Sequence, residues 1–330
     1  MHYLKKYSGI FLFIFLAFLP VGCDRQTGTD VSDNDIPPSV PSSLSVYSAS
    51  DGEVIIEWKA NIESDVKGYH IYRRTKHTES VKIYFTENDF YFDDSLNYDT
   101  TYFYKITAVN IENKESGFTS EVSANPINRF RPSRPGFIRI NARNWPNEIS
   151  IYLNWQRNYE TDIAGYNIYR SSSSSFTADS NSFIDFTQNI NFRDTLNLSF
   201  YTSYYYKIKA VDKGDLLSDE SSEVEDLILE IPEVIFPEDN SDINFFDEFI
   251  LKAVKVPATY RVGLQTNMFF GEIWSTEVES SVVDDTLRIA FDNPPRLSIN
   301  TTYYWRVITY SGYSTEPNSV SDLFNFTLRE

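Results

Sequence analysis

Few residue types in this chain could do chemistry, and their spacing does not bring them together. The 330 residues hold three histidines and one cysteine against 47 aspartates and glutamates. Downstream of the N-terminal run only His70 and His77 remain, and His70 alternates away from the apolar Tyr69/Ile71 face, which predicts a surface histidine. No Gly-rich phosphate loop, His-Glu-x-x-His pair or nucleophile elbow occurs. Asp30, Asp33 and Asp35 lack the EF-hand spacing. Among so many carboxylates, nothing marks out a glycosidase-like pair. The only thiol, Cys23, closes an N-terminal apolar run, so none is left downstream for a disulfide, a nucleophile or a metal. The expectation is a non-enzyme with no cofactor and no metal.

Residues suited to binding are easier to find. Arg129, Arg131, Arg134, Arg139 and Arg143 crowd together in a chain of formal charge −18, with Trp145 close behind. One reading is a patch for an acidic polymer or glycan, with Trp145 as stacking group. The other, which the composition favours, is that these arginines brace a hinge against acidic surface. The net charge argues against nucleic acid, whose phosphates it repels. A second aromatic group, Phe269, Phe270 and Trp274, could face a glycan, although burial is the expected fate of each. The candidate ligand residues are therefore Trp145, Arg129, Arg131, Arg134 and Trp274.

The elements that would position these residues are written twice. Trp58 to Arg73 and Trp155 to Arg170 repeat without a gap, with Trp, Asp65 or Asp162, Gly68 or Gly165, Tyr69 or Tyr166, and Arg at equal offsets. Tyr102 to Val109 recurs as Tyr204 to Val211. Within each copy apolar residues alternate with period two, as in Val54, Ile56, Trp58 and in Ile151, Leu153, Trp155. Short alternating strands between turn residues predict antiparallel sandwiches. In the first copy the strands fall near 43–48, 53–58, 67–74, 81–85, 90–93, 101–110 and 118–124. Asp65 and Asp162 precede the third strand, where each is expected to cap local backbone amides.

At these residues the chain resembles fibronectin type III domains: a Trp on the second strand, a Gly-Tyr-x-Ile-Tyr third strand, and a Leu six residues before a Tyr. The Leu/Tyr pair occurs three times, as Leu96/Tyr102, Leu198/Tyr204 and Leu297/Tyr303. The resemblance implies three immunoglobulin-like β-sandwiches, each with a tyrosine corner, arranged in a rod by short Pro-containing junctions. The expected bounds are 36–126, 131–229 and a divergent third copy at 231–330, where Phe249 or Leu251 replaces the Trp and Trp305 faces inward. Ser171 to Ser175 and the polar residues after it read as a flexible connection.

Ahead of the repeats, Lys5 and Lys6 precede the apolar run Ile10 to Leu19, a secretory signal spanning 1–22. Leu19 to Cys23 resembles the lipobox of bacterial lipoproteins, which implies lipidation at Cys23. Residues 23–35 then form an acidic tether. The whole reads as a non-catalytic, lipid-anchored protein of the outer membrane or cell surface that binds a polysaccharide or an envelope protein. The alternative is a scaffold subunit of an outer-membrane or periplasmic complex.

Overall fold

The computed structural model describes residues 36–313 and 315–330, and all of its regular structure is β. The signal segment, Cys23 and the acidic tether lie outside the described residues.

The first repeat contains β1 (Ser42–Ser50), β2 (Glu53–Lys59), β3 (Val66–Thr75), β4 (Val81–Thr86), β5 (Phe90–Asp93), β6 (Tyr102–Asn110) and β7 (Val122–Ala124). They form two antiparallel sheets, β1-β2-β5 and β4-β3-β6-β7. The period-two pattern turns Val54, Ile56 and Trp58 inward against Tyr69, Ile71, Tyr104 and Ile106. Trp58 meets Tyr69 edge-on, with ring centroids 5.2 Å apart. Gly68 is required by crowding, because a Cβ there would lie 2.5 Å from the Thr86 carbonyl oxygen. The last strand is shorter than its sequence pattern predicts. Thr119 receives the Ile106 amide on its side-chain oxygen at 3.1 Å, a place that a ladder carbonyl would otherwise take.

The second repeat contains β8 (Arg139–Trp145), β9 (Glu148–Asn154), β10 (Ile163–Ser171), β11 (Phe183–Thr187), β12 (Asn191–Asp194), β13 (Ser203–Asp212) and β14 (Val224–Leu227). Its sheets copy the first, β12-β9-β8 over β11-β10-β13-β14. Trp155 meets Tyr166 at 5.2 Å, and Ser221 takes the Ile208 amide as Thr119 takes that of Ile106. The polar stretch after Ser171 is tied down, contrary to the flexible reading: the Ser175 amide donates to Glu223 at 2.9 Å and Lys207 donates to the Phe176 carbonyl at 2.5 Å.

The third repeat contains β15 (Glu233–Phe236), β16 (Ser241–Ile243), β17 (Glu248–Lys252), β18 (Ala258–Gln265), β19 (Glu272–Ser280), β20 (Thr286–Ala290), β21 (Thr301–Tyr310), β22 (Ser319–Val320) and β23 (Phe324–Leu328). Sheet β15-β17-β20 faces a sheet built on β19-β18-β21, whose outer partner is broken into β22 and β23. Trp305 is fully buried and packs at 4.9 Å from Phe249, supplying the bulk that the missing second-strand Trp would have given.

In all three repeats the corner tyrosine accepts a backbone N–H from the preceding turn. Asn97 donates to Tyr102 at 3.0 Å, Ser199 to Tyr204 at 2.9 Å and Ser298 to Tyr303 at 2.8 Å. The sheet order and the recurrent corner make this a tandem fibronectin type III-like fold.

Candidate binding cleft

The break between β22 and β23 is what joins the second and third domains. Ser319 of β22 pairs with Asn144 of β8 in parallel, so that one nine-stranded sheet runs from β12 through to β19. Beneath this seam lies Asp226, fully buried and, among the described residues, without a Lys, Arg or His partner. Its carboxylate accepts the amides of Ala142 and Leu227 at 2.8 Å, the Ser311 hydroxyl at 2.8 Å and the Asn318 amide nitrogen at 2.9 Å. Burial pushes this carboxyl above its ordinary range, against the pull of those donors. Leu227 and Leu229 enter the hydrophobic core of the third domain, so the seam is apolar as well as hydrogen-bonded.

This joint holds a loop of the third domain over the outer face of β12-β9-β8. Its near end is fixed by Ser311, and its far end by the Pro317 carbonyl, which accepts from Asn141 and from the Trp145 indole at 3.1 Å each. Between face and loop opens a cleft of about 750 Å³ whose lining includes Arg139, Arg143, Tyr152, Asn154, Glu225 and Tyr313. Cross-strand register lines up its floor, where Arg139 pairs with Asn154 and Asn141 with Tyr152, and β12 continues these two rows beside the cleft with Asn191 and Arg193. The Arg143 guanidinium lies 4.4 Å from the Trp145 ring centroid and 4.5 Å from that of Tyr152, with its Nε donating to Asn141 at 2.7 Å. Glu225 accepts a hydrogen bond from Tyr205 and thereby raises that phenol.

The five crowded arginines are split by the fold. Arg139 and Arg143 reach the cleft, whereas Arg129, Arg131 and Arg134 lie at the joint between the first and second domains. There the bracing expected of guanidinium groups is done by backbone: the Arg129 and Phe130 amides donate to Asp51 at 2.7 and 2.8 Å. Among the described residues these three arginine side chains form no ion pair with Asp or Glu. Trp145 does not stack beside them, because β8 carries it to the opposite end of the second domain. Trp274 is no open platform either. It is half-buried, stacked on Phe249 at 5.6 Å and donating its indole N–H to the Asp292 carbonyl. Phe269 and Phe270, expected to be buried, are 87% and 73% exposed on a turn whose amides bond to Asn267.

Three further expectations are corrected. His70 is not a free surface group, since its Nδ1 lies 3.2 Å from Glu115 and its ring meets Phe85 edge-on. Asp162 reaches across the first joint to accept the Tyr98 hydroxyl at 2.6 Å, and Asp65 accepts the Asn110 amide at 3.4 Å; neither is the local cap that turn chemistry suggested. The seam at Asp226 escaped the sequence, because its residues lie far apart in the chain. The first domain and the second share a buried triad that the sequence reading also missed: Asp93 with Arg73 and Tyr104, and Asp194 with Arg170 and Tyr206. Its presence in both copies marks it as structural.

No family model matches the chain, and no curated protein matches it. Among solved structures, the FN1–FN3 domains of chicken CNTN1 align with 89% of this chain and 100% of their own, at 14% identity and a TM-score of 0.36. A myokine structure aligns with 27% of this chain and 98% of its own, at 21% identity and a TM-score of 0.24. Likenesses at these scores add nothing to what sheet order and tyrosine corners establish.

Proposed function

We propose that the protein is a non-catalytic, lipid-anchored envelope protein whose second and third domains act as one rigid head that binds a glycan or protein ligand in the cleft between them. The observation that carries this reading is the locked loop: Ser311, Pro317 and Asn318 are all held by the second domain, so the cleft is formed before a ligand arrives. The apolar N-terminal run and Cys23 supply the anchor, and residues 24–35 the tether. Deleting the third domain would be a poor test, since it strips Asn318 from Asp226 and uncovers Leu227 and Leu229. A better one compares residues 24–330 with the Asn318→Ala variant against immobilised envelope glycans and proteins. Saturable binding that weakens when the joint loosens supports the reading, and the absence of any retained glycan or protein ends it. Cys23→Ala should release the protein from membranes; a variant that stays bound removes the anchor.

A second reading, a scaffold subunit that docks on a partner, has one observation of its own. The outer face of the first domain exposes Tyr47, Phe90 and Phe92, at 71%, 50% and 42%.

A further inference from the structure

We infer that the ligand of this cleft is a saccharide chain bearing carboxylate groups, laid over the outer face of β12-β9-β8 with a carboxylate at Arg139. The inference rests on the binding reading above and adds the chemical class.

Arg139 is exposed and has no carboxylate partner among the described residues, in a chain where acids outnumber Lys and Arg by 47 to 29. Such a guanidinium is ready for a bidentate charge-assisted pair. Arg143 is held by two rings, and its closest carboxylate oxygen, on Glu148, is 3.7 Å away, beyond hydrogen-bond reach. In the Arg139 row, Asn154 and Asn191 make no side-chain hydrogen bond within the described residues, leaving planar amides that can each serve a hydroxyl as donor and as acceptor. Tyr152 on the floor and Tyr313 on the wall, the latter 52% exposed, offer amphipathic rings to sugar faces.

Two other ligand classes fit less well. A peptide that adds a strand needs bare backbone, whereas β9 is paired on both sides and the far edge of β8 is occupied by β22 at Asn144 and by the Asp226 and Asn318 side chains at Ala142. Nucleic acid would meet the field of a chain of charge −18 with one phosphate at every step. A uronate polymer meets the same field, yet its hydroxyls can occupy the Glu225 side of the cleft while one carboxylate pairs with Arg139.

The test uses residues 24–330, which keep every described residue, and three probes: polygalacturonate, alginate and hyaluronan, with methyl-esterified polygalacturonate as the matched neutral chain. Calorimetric titration should show binding to at least one of the acidic polymers, weakened by salt, and the matched methyl ester should bind no more than weakly. Arg139→Ala should weaken binding by roughly ten- to a hundredfold, the range of a lost charge-assisted hydrogen bond. Tyr313→Ala should weaken it too, whereas Arg296→Ala, at an exposed site of the third domain, should not. If none of the acidic polymers binds, or if binding is indifferent to Arg139, the inference is overturned. Retention of a neutral glycan or a protein that depends on Tyr313 would then leave the binding reading standing, and retention of nothing would end both.

Discussion

The first and second domains share an interior and differ outside. Trp58 and Trp155, the Tyr102 and Tyr204 corners, and the Asp93 and Asp194 triads occupy equivalent places. On the outer face of the smaller sheet the match ends. Ile55, Glu57, Phe90 and Phe92 in the first domain stand where the second has Tyr152, Asn154, Asn191 and Arg193. Inward positions are fixed by packing, and outward positions on the same strands are free to change, so divergence between the copies points to where each domain meets its surroundings. The joints differ as well. The first rests on side-chain bonds such as Tyr98 to Asp162 and Thr161 to Glu53, the second on a continuous sheet.

The largest effects should come from the shared interior. Truncating Trp58 or Trp155 to Ala should cost the host domain about 3–5 kcal/mol, a large part of the roughly 5–15 kcal/mol that a domain has. The two variants should nevertheless behave differently in urea unfolding followed by circular dichroism. Trp58→Ala should lower one transition and spare the rest, whereas Trp155→Ala should also weaken the third domain, whose core includes Leu227 and Leu229. Equal, isolated losses would mean that the shared sheet does not couple the two domains.

Next comes the seam itself. Asn318 is fully buried; its amide nitrogen serves Asp226 and the carbonyls of Ala142 and Leu227, and its oxygen accepts the Ser311 amide at 2.7 Å. Asn318→Ala leaves a buried carboxylate short of a donor and should cost about 1–3 kcal/mol. Calorimetry should then resolve separate transitions for the second and third domains, where the parent shows them merged.

How much of this was legible beforehand follows from which interactions are local in sequence. The alternation in Val54, Ile56 and Trp58 and the Leu96/Tyr102 spacing act within one strand or one turn, so they announce both strand and corner. The cleft does not act that way. Arg139 and Arg143 stand out in the sequence as charges, but their separation from Arg131 and Arg134 depends on β8 running the length of the domain, and their wall is a loop far along the chain. The position of Trp145 is hidden for the same reason, and in sequence Asp226 is one acid among 47. Phe269 and Phe270 failed differently: hydrophobicity predicts burial, and a tight turn held by Asn267 overrides it.

A smaller effect sharpens the comparison at the first joint. Asp212 occupies the place of Asn110, is fully buried, and its Oδ2 has no hydrogen-bond partner among the described residues. In the first domain the Asn110 amide donates to Asp65; in the second, Asp212 and Asp162 oppose each other as two acids. Burial raises Asp162, and the Asp212 charge adds to that rise. Asp212→Asn restores the donor of the first copy and should stabilise the second domain by about 0.5–1.5 kcal/mol at neutral pH. A carboxyl raised in the folded state loses stability as pH climbs through its folded value. The gain over the parent should therefore be largest at neutral pH and shrink as the pH falls and Asp162 takes up a proton. A gain that does not vary with pH would mean that the two acids do not interact.

The smallest effect is expected where the copies differ most. Exchanging the outer face of the first domain for that of the second, Ile55→Tyr, Glu57→Asn, Phe90→Asn and Phe92→Arg, touches none of its buried core residues. Each change should shift stability by no more than about 0.5 kcal/mol, read as melting temperature against the parent. The exchanged face should also fail to bind a ligand by itself, since the hollow on that face is lined only by Tyr47, Ile55, Glu57, Trp58, Asp89 and Phe90 of the first domain, without a wall such as the one Tyr313 gives the cleft. Should the four substitutions together confer polymer binding on a chain whose Arg139 has been removed, the face alone would be the site and the domain joint would be only its support.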